Sequence, residues 1–358
     1  MTRERIIELR RADATDATLV ELAELAAATR AAGDVEAAAL ARAIEVAHAR
    51  HIGRHQHAVV AGAELLELWP EVRRRPVPTG EGDDKDELDL ARRLAWGLKY
   101  VAGSAMDLPE IPLATSDGVL AVLGEVLAHY DYEPFAQWTL QARRAYIAGD
   151  DAALAELVHR LAPTVTRYNH VYECADCPGC MLLQFAEWLG PDASDADVEE
   201  VLAPCLGRKP YLPDGPMSRI LDLLYGPAGT CENAERTVPV LLARAYLRTG
   251  RTAEALAQAE RAGALAEGSD PPRVARALAA RTAVIAALGQ PAARELASEL
   301  ASRAEALEDA YEQLDALLVA HRVLRDAAIA DRARGLARRL DARIERARHV
   351  AATEQALA

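Results

Sequence analysis

The chain has 358 residues, enough for two average domains or for one open-ended helical array. Ala and Leu dominate, and aromatic residues make up 4% with only two Phe, so thin helical layers are favoured over a sheet core. A formal net charge of −14 disfavours nucleic acid as a partner, because non-specific binding depends on neutralising phosphates with Lys and Arg.

No apolar run reaches the length a membrane helix needs, so no membrane partner is expected. Met1-Thr-Arg-Glu-Arg-Ile6 opens an amphipathic helix, not the apolar core of a secretion signal. Five cysteines, three of them clustered, fit a reducing compartment, and the expected location is cytoplasmic.

In chain order, residues 1–12 read as a short charged helix. Asp13 and Asp16 then precede a second helix, in which Leu19, Leu22 and Leu25 recur at helical spacing. Gly33-Asp34 breaks it, and Val35 to Arg50 forms its partner. His48, His51, His55 and His57 follow. The first three are expected on one helix face, but no Cys, Asp or Glu on that face completes a metal set, so a solvated or partner-facing patch is the reading. Trp69-Pro70 ends these N-terminal pairs, residues 1–70. Residues 71–88 carry Pro, Gly, a basic run and an acidic run, and read as a polar linker.

The array then fills residues 89–358. Leu88 to Val101 is expected to be helical with Trp96 in the core, and Met106 to Pro112 is a connection. Thr115-Ser-Asp117 caps a helix from Gly118 to Tyr130. Trp138 onward gives a helix, a Gly149-Asp150 turn and a second helix to Leu161. Helices are further expected over Thr237–Thr249, from Pro271, over Ala292–Leu307 and over Tyr311–Arg334, with an arginine-rich capping helix at 331–348.

The densest chemistry is Cys174-Ala-Asp-Cys177-Pro-Gly-Cys180, with Cys231 downstream in a Gly-rich turn. Pro178 suits the first position of a helix, which makes Cys177 the N-cap and Cys180 the third helical residue. Thiols there can converge, and the positive end of the helix dipole favours their thiolates. A closed four-cysteine zinc site of Cys174, Cys177, Cys180 and Cys231 is the simplest use of all four, with His170 in reserve. The other readings are buried small hydrophobes, and a redox pair or iron–sulfur ligands. Cys205, at an apolar helix end, reads as core.

Pro239 to Leu256 resembles a tetratricopeptide repeat (TPR). Ala243, Tyr246, Gly250 and Ala255 stand at that family's small, aromatic, turn and small positions, and Ala259 and Ala262 continue the pattern. Weaker copies centre on Gly33, Gly149 and Gly289; the 39 residues from Gly250 to Gly289 exceed the family's period of about 34. The cysteine pattern also resembles that of bacterial TPR-like proteins of unassigned function. The resemblance implies an all-α, right-handed α-solenoid of antiparallel helix pairs that binds a protein or peptide. Tyr146, Tyr168, Tyr172, Trp188 and Tyr246 would be groove or core aromatics.

No phosphate loop, dinucleotide fingerprint, HExxH or nucleophile elbow occurs, so no enzyme is expected. The expected function is a binding scaffold with a structural zinc. The alternative is a redox- or metal-responsive regulator using Cys177 and Cys180.

Overall fold

The computed structural model describes residues 2–75, 90–132, 134–165, 196, 198–199, 232–344 and 348–358. Among them the protein is all-helical, with fifteen α-helices and no strand. By contacts it divides into two units: residues 1–144 with 308–310, and residues 145–307 with 311–358.

The first unit contains α1 (Thr2–Arg11), α2 (Asp16–Ala31), α3 (Val35–His51), α4 (His55–Val72), α5 (Leu90–Asp107) and α6 (Leu113–His129). Short-range signals start these helices. Thr15 and Thr18 form a capping box on α2, and Gly33 supplies the left-handed residue (φ 78°) that lets Asp34 cap Ala37 N–H on α3. Helix α3 packs on α1, α2, α4 and α5, and α5 packs on α3, α4 and α6. Both helices are therefore buried around most of their circumference. Small residues make this possible. A Cβ on Gly62 of α4 would lie 2.2 Å from Val101 Cγ2 of α5, and one on Gly97 of α5 would lie 3.1 Å from the Ala43 Cα of α3. Ile6, Leu9, Leu22, Leu40 and Ile44 close the core on the α1–α2 side.

Next come α7 (Phe135–Ala148) and α8 (Asp151–Val165), joined by Gly149 (φ 67°) and Asp150, whose carboxylate accepts from Ala153 N–H. In the second unit follow α9 (Glu232–Arg248), α10 (Thr252–Ala266), α11 (Pro271–Ala287), α12 (Ala293–Ala304), α13 (Ala310–Leu324), α14 (Ala327–Ile344) and α15 (Arg348–Leu357). Helix α9 packs on α10 and α11, α10 on α11, α11 on α12, and α14 on α15.

Several boundaries differ from expectation, each for a packing or backbone reason. Helix α4 continues through Pro70 to Val72, whose side chain is buried. Helix α5 runs to Asp107 and not Val101, because Met106 and Asp107 are both in the interior. Helix α6 starts five residues before Gly118, at Leu113. Thr115–Asp117 are its first turn and not its cap, and buried Ser116 donates to the Ala102 carbonyl. Helix α9 reaches back to Glu232 with Pro239 inside it; buried Val238 and Val240 flank the proline and hold the chain helical there. The helix expected over 311–334 breaks at Arg325 (φ 54°), and Asp326 restarts the chain by accepting from Ala328 and Ile329 N–H.

A buried carboxylate caps the start of the C-terminal helix. Asp341 of α14 accepts from His349 N–H at 2.6 Å, Val350 N–H at 2.7 Å and His349 Nδ1 at 2.8 Å, so it caps the start of α15 from outside. Asp341→Ala removes all three bonds. We expect a loss of ~1–3 kcal/mol, read by hydrogen–deuterium exchange as faster exchange confined to 348–357. Unchanged exchange there would show that apolar docking through Leu357 suffices.

Candidate functional site

The expected zinc ligands Cys174, Cys177, Cys180 and Cys231 lie outside the described residues, as do His170, Asp176, Cys205, Tyr168, Tyr172 and Trp188. The linker expected at 71–88 is described only through residue 75, where it begins as the end of α4.

The histidines of residues 48–57 are described, and they do not share one helix face. Helix α3 ends at His51, and His55 is the first residue of α4. His51 is exposed and packs edge-on to Tyr100, with its Nδ1 2.7 Å from the Ala47 carbonyl. His48 is buried. Burial pushes its pKa down, against a hydrogen bond to the Arg10 backbone, and its Nδ1 has no partner among the described residues.

His55 belongs to a buried polar centre that the sequence pattern did not disclose. Asp107, at the end of α5, is fully buried. One of its oxygens accepts from Arg50, at the end of α3, and lies 3.2 Å from His55 Nδ1; the other accepts from Arg143 Nη2 of α7 at 2.5 Å. Asp309 places a carboxylate oxygen within 4.8 Å of both the His55 and Asp107 donor atoms, and all three residues are buried. Beside it, the Glu308 carboxylate accepts from Gln56 N–H at 2.7 Å, in the first turn of α4. Arg54, the N-cap of α4, provides no side-chain cap of its own, so Glu308 satisfies a donor there and complements the helix dipole.

Electrostatics decide what this centre can do. Burial alone would raise the Asp107 carboxyl. Arg143 and Arg50, with a further hydrogen bond from His55, outweigh burial and hold it well below the usual carboxylate range. His55, Asp107 and Asp309 have the chemistry of metal ligands, yet the donor set does not suit a divalent ion. Two guanidiniums already balance two carboxylates, and both Asp107 oxygens are engaged by arginine. A cation would have to displace Arg50 and Arg143 or be buried beside them. Ser104 lies one turn before Asp107, and its buried Oγ has no hydrogen-bond partner among the described residues.

A second network lies along the α3–α4 seam. Glu45 is buried and accepts from Arg42 at 2.5 Å, and it lies 2.6 Å from His57 Nε2; Arg42 also reaches Glu64 of α4 at 2.6 Å. Glu64 and His57 carry this network to the surface.

In the second unit, the residues that carry the repeat resemblance form a packing seam. Ala243, Ala255, Ala259 and Ala262 are at most 1% exposed, and Gly250 adopts φ 77°. Tyr246 is buried, with the Arg251 guanidinium 4.1 Å from its ring centre, so it is a core aromatic. Tyr146 is half-buried under Arg348.

Among the described residues no helix is long and apolar enough to cross a membrane. No protein-family model matches this chain, and no curated protein matches its sequence.

Proposed function

We propose that this protein is a non-enzymatic helical-repeat scaffold that binds a protein or peptide partner in the cytoplasm. In this reading its helices stack as TPR-like antiparallel pairs in a right-handed solenoid. Cys174, Cys177, Cys180 and Cys231 hold a structural zinc that braces the edge of the array. The observation that carries the reading is the packing of α9 on both α10 and α11, together with the burial of the small residues Ala243 of α9 and Ala255, Ala259 and Ala262 of α10. That contact pattern is how repeats that cannot bury an apolar face alone stack into a continuous core. The buried Arg50–Asp107–Arg143 centre fits the same reading as an internal brace.

Selection of displayed random peptides on the purified full chain tests the function. A scaffold enriches a consensus whose synthetic form binds reversibly; enrichment of no sequence would overturn the proposal. The zinc is tested separately by native mass spectrometry. About one zinc per chain is expected, lost or weakened in Cys231→Ala together with a lower melting temperature. Zinc that leaves under mild oxidant while the helices persist would favour the redox-responsive alternative at Cys177 and Cys180.

A further inference from the structure

Helix α1 packs on α2 and α3 through a narrow apolar stripe. Its Ile6 and Leu9 are at most 2% exposed and rest among Leu22, Ala26, Leu40 and Ile44. Much of the remaining attachment is ionic. Arg5 pairs with Glu21 of α2 at 2.6 Å, and Arg3 reaches Asp34 at 3.3 Å and Glu36 of α3 at 3.2 Å. Each of these five side chains is about a third or more in solvent, so the pairs hold α1 weakly.

The last turn of α1 is met by His48 of α3, which is only 8% exposed. The His48 ring makes a hydrogen bond to the Arg10 backbone, whereas its Nδ1 is buried with no partner among the described residues. The bond therefore uses Nε2, and the neutral ring with its hydrogen on Nε2 suits the site. A further proton would sit on Nδ1, where nothing accepts it, and would bury a charge. Burial accordingly pushes the His48 pKa down, and the bond to Arg10 does not offset it. His51, one turn further along α3, also opposes the charge. Among the described residues no carboxylate of α1, α2, α4 or α5 acts on the ring to favour it.

We propose that α1 is an acid-released latch: protonation of His48 favours the state in which α1 has left α2 and α3. Release uncovers a groove with Leu22, Leu40 and Ile44 on its floor and Glu21, Asp34 and Glu36 on its rim. With α1 away, His48 meets water and takes a proton near its ordinary pKa of about 6.5, so the released state binds more protons than the docked one. Docking is therefore strongest above about pH 6.5 and weakens as pH falls from there towards the lower folded value. The rim stays ionised in this window. Arg5 holds the Glu21 carboxyl below its ordinary value, and at Asp34 burial is outweighed by the Ala37 N–H and Arg3.

Hydrogen–deuterium exchange on the full chain, corrected for the intrinsic rate at each pH, tests the latch. Between about pH 7.5 and about pH 5.5, protection of α1 should fall about threefold or more while α2 keeps its own. His48→Gln keeps an amide donor but cannot take a proton, so in that variant α1 protection should no longer depend on pH. If the variant undocks α1 outright, NMR titration of the wild-type His48 ring decides. A midpoint below about 6.5 supports the latch, and one at or above that value overturns it. Protection of α1 that is constant with pH, a loss that persists in His48→Gln, or a loss that α2 shares would each overturn the proposal.

Discussion

Asp107→Ala is expected to destabilise the first unit by ~3–5 kcal/mol, the range for removing one partner of a buried ion pair. The substitution leaves Arg50 and Arg143 facing a site from which their shared carboxylate has gone, and it removes one polar partner of buried His55, whose Nδ1 also meets Arg50. Asp107→Asn keeps the volume but not the charge, so most of the loss should remain. Arg143→Met should cost less, because Arg50 still pairs with Asp107. Urea denaturation followed by circular dichroism measures all three, and a loss below ~1 kcal/mol in Asp107→Ala would show that the pairing is not structural. The same centre sets a pH dependence. A carboxyl whose folded pKa lies below its unfolded value contributes stability that is fully present above about pH 4 and is lost as pH falls towards the lower folded value. Acid unfolding of wild type should therefore steepen below about pH 4, and in Asp107→Asn this component should be absent.

Gly62→Ala carries the second large effect. In an exposed helix a glycine-to-alanine change gains up to ~1 kcal/mol. At Gly62 the added Cβ would meet Val101 Cγ2 at 2.2 Å and Cγ1 at 2.7 Å, distances that force α4 and α5 apart. A net loss of ~1–3 kcal/mol is expected. Val101→Ala removes both methyl groups and should recover most of that loss when combined with Gly62→Ala, as a coupling in a double-mutant cycle. Gly118→Ala, where nothing lies within 4 Å of the new Cβ, is the control and should be neutral or stabilising. Equal stability of the Gly62 and Gly118 variants would contradict the close α4–α5 crossing.

What was legible in the sequence is what depends on neighbours in the chain. Gly33-Asp34 and Gly149-Asp150 mark turns because a left-handed residue followed by a carboxylate stops one helix and caps the next. Gly250 and Gly289 mark turns by the same left-handed backbone. The small seam at Ala243, Ala255, Ala259 and Ala262 was legible by spacing, because burial follows the helical period. Arg325 was not legible, since a left-handed arginine leaves no local signature in the sequence. Nor was the polar centre. Its groups come together across 57 residues, from Arg50 to Asp107, and the Gln56–Glu308 bond beside it spans 252. His55 lies on α4 and not on the face of His48 and His51, because the chain turns at Gly53 (φ 76°) after α3, where periodicity alone would carry the helix on.

On the proposed reading a ligand binds at the surface of the helical array, and the buried Arg50–His55–Asp107 centre is structural. Hydrogen–deuterium exchange on the full chain, with and without a peptide enriched by selection, separates the two most directly. Added protection is expected in α9 to α11, with the ends of α3 and α5 unchanged. Protection centred on the ends of α3 and α5, with α9 to α11 unaffected, would contradict it and make the buried centre the ligand site.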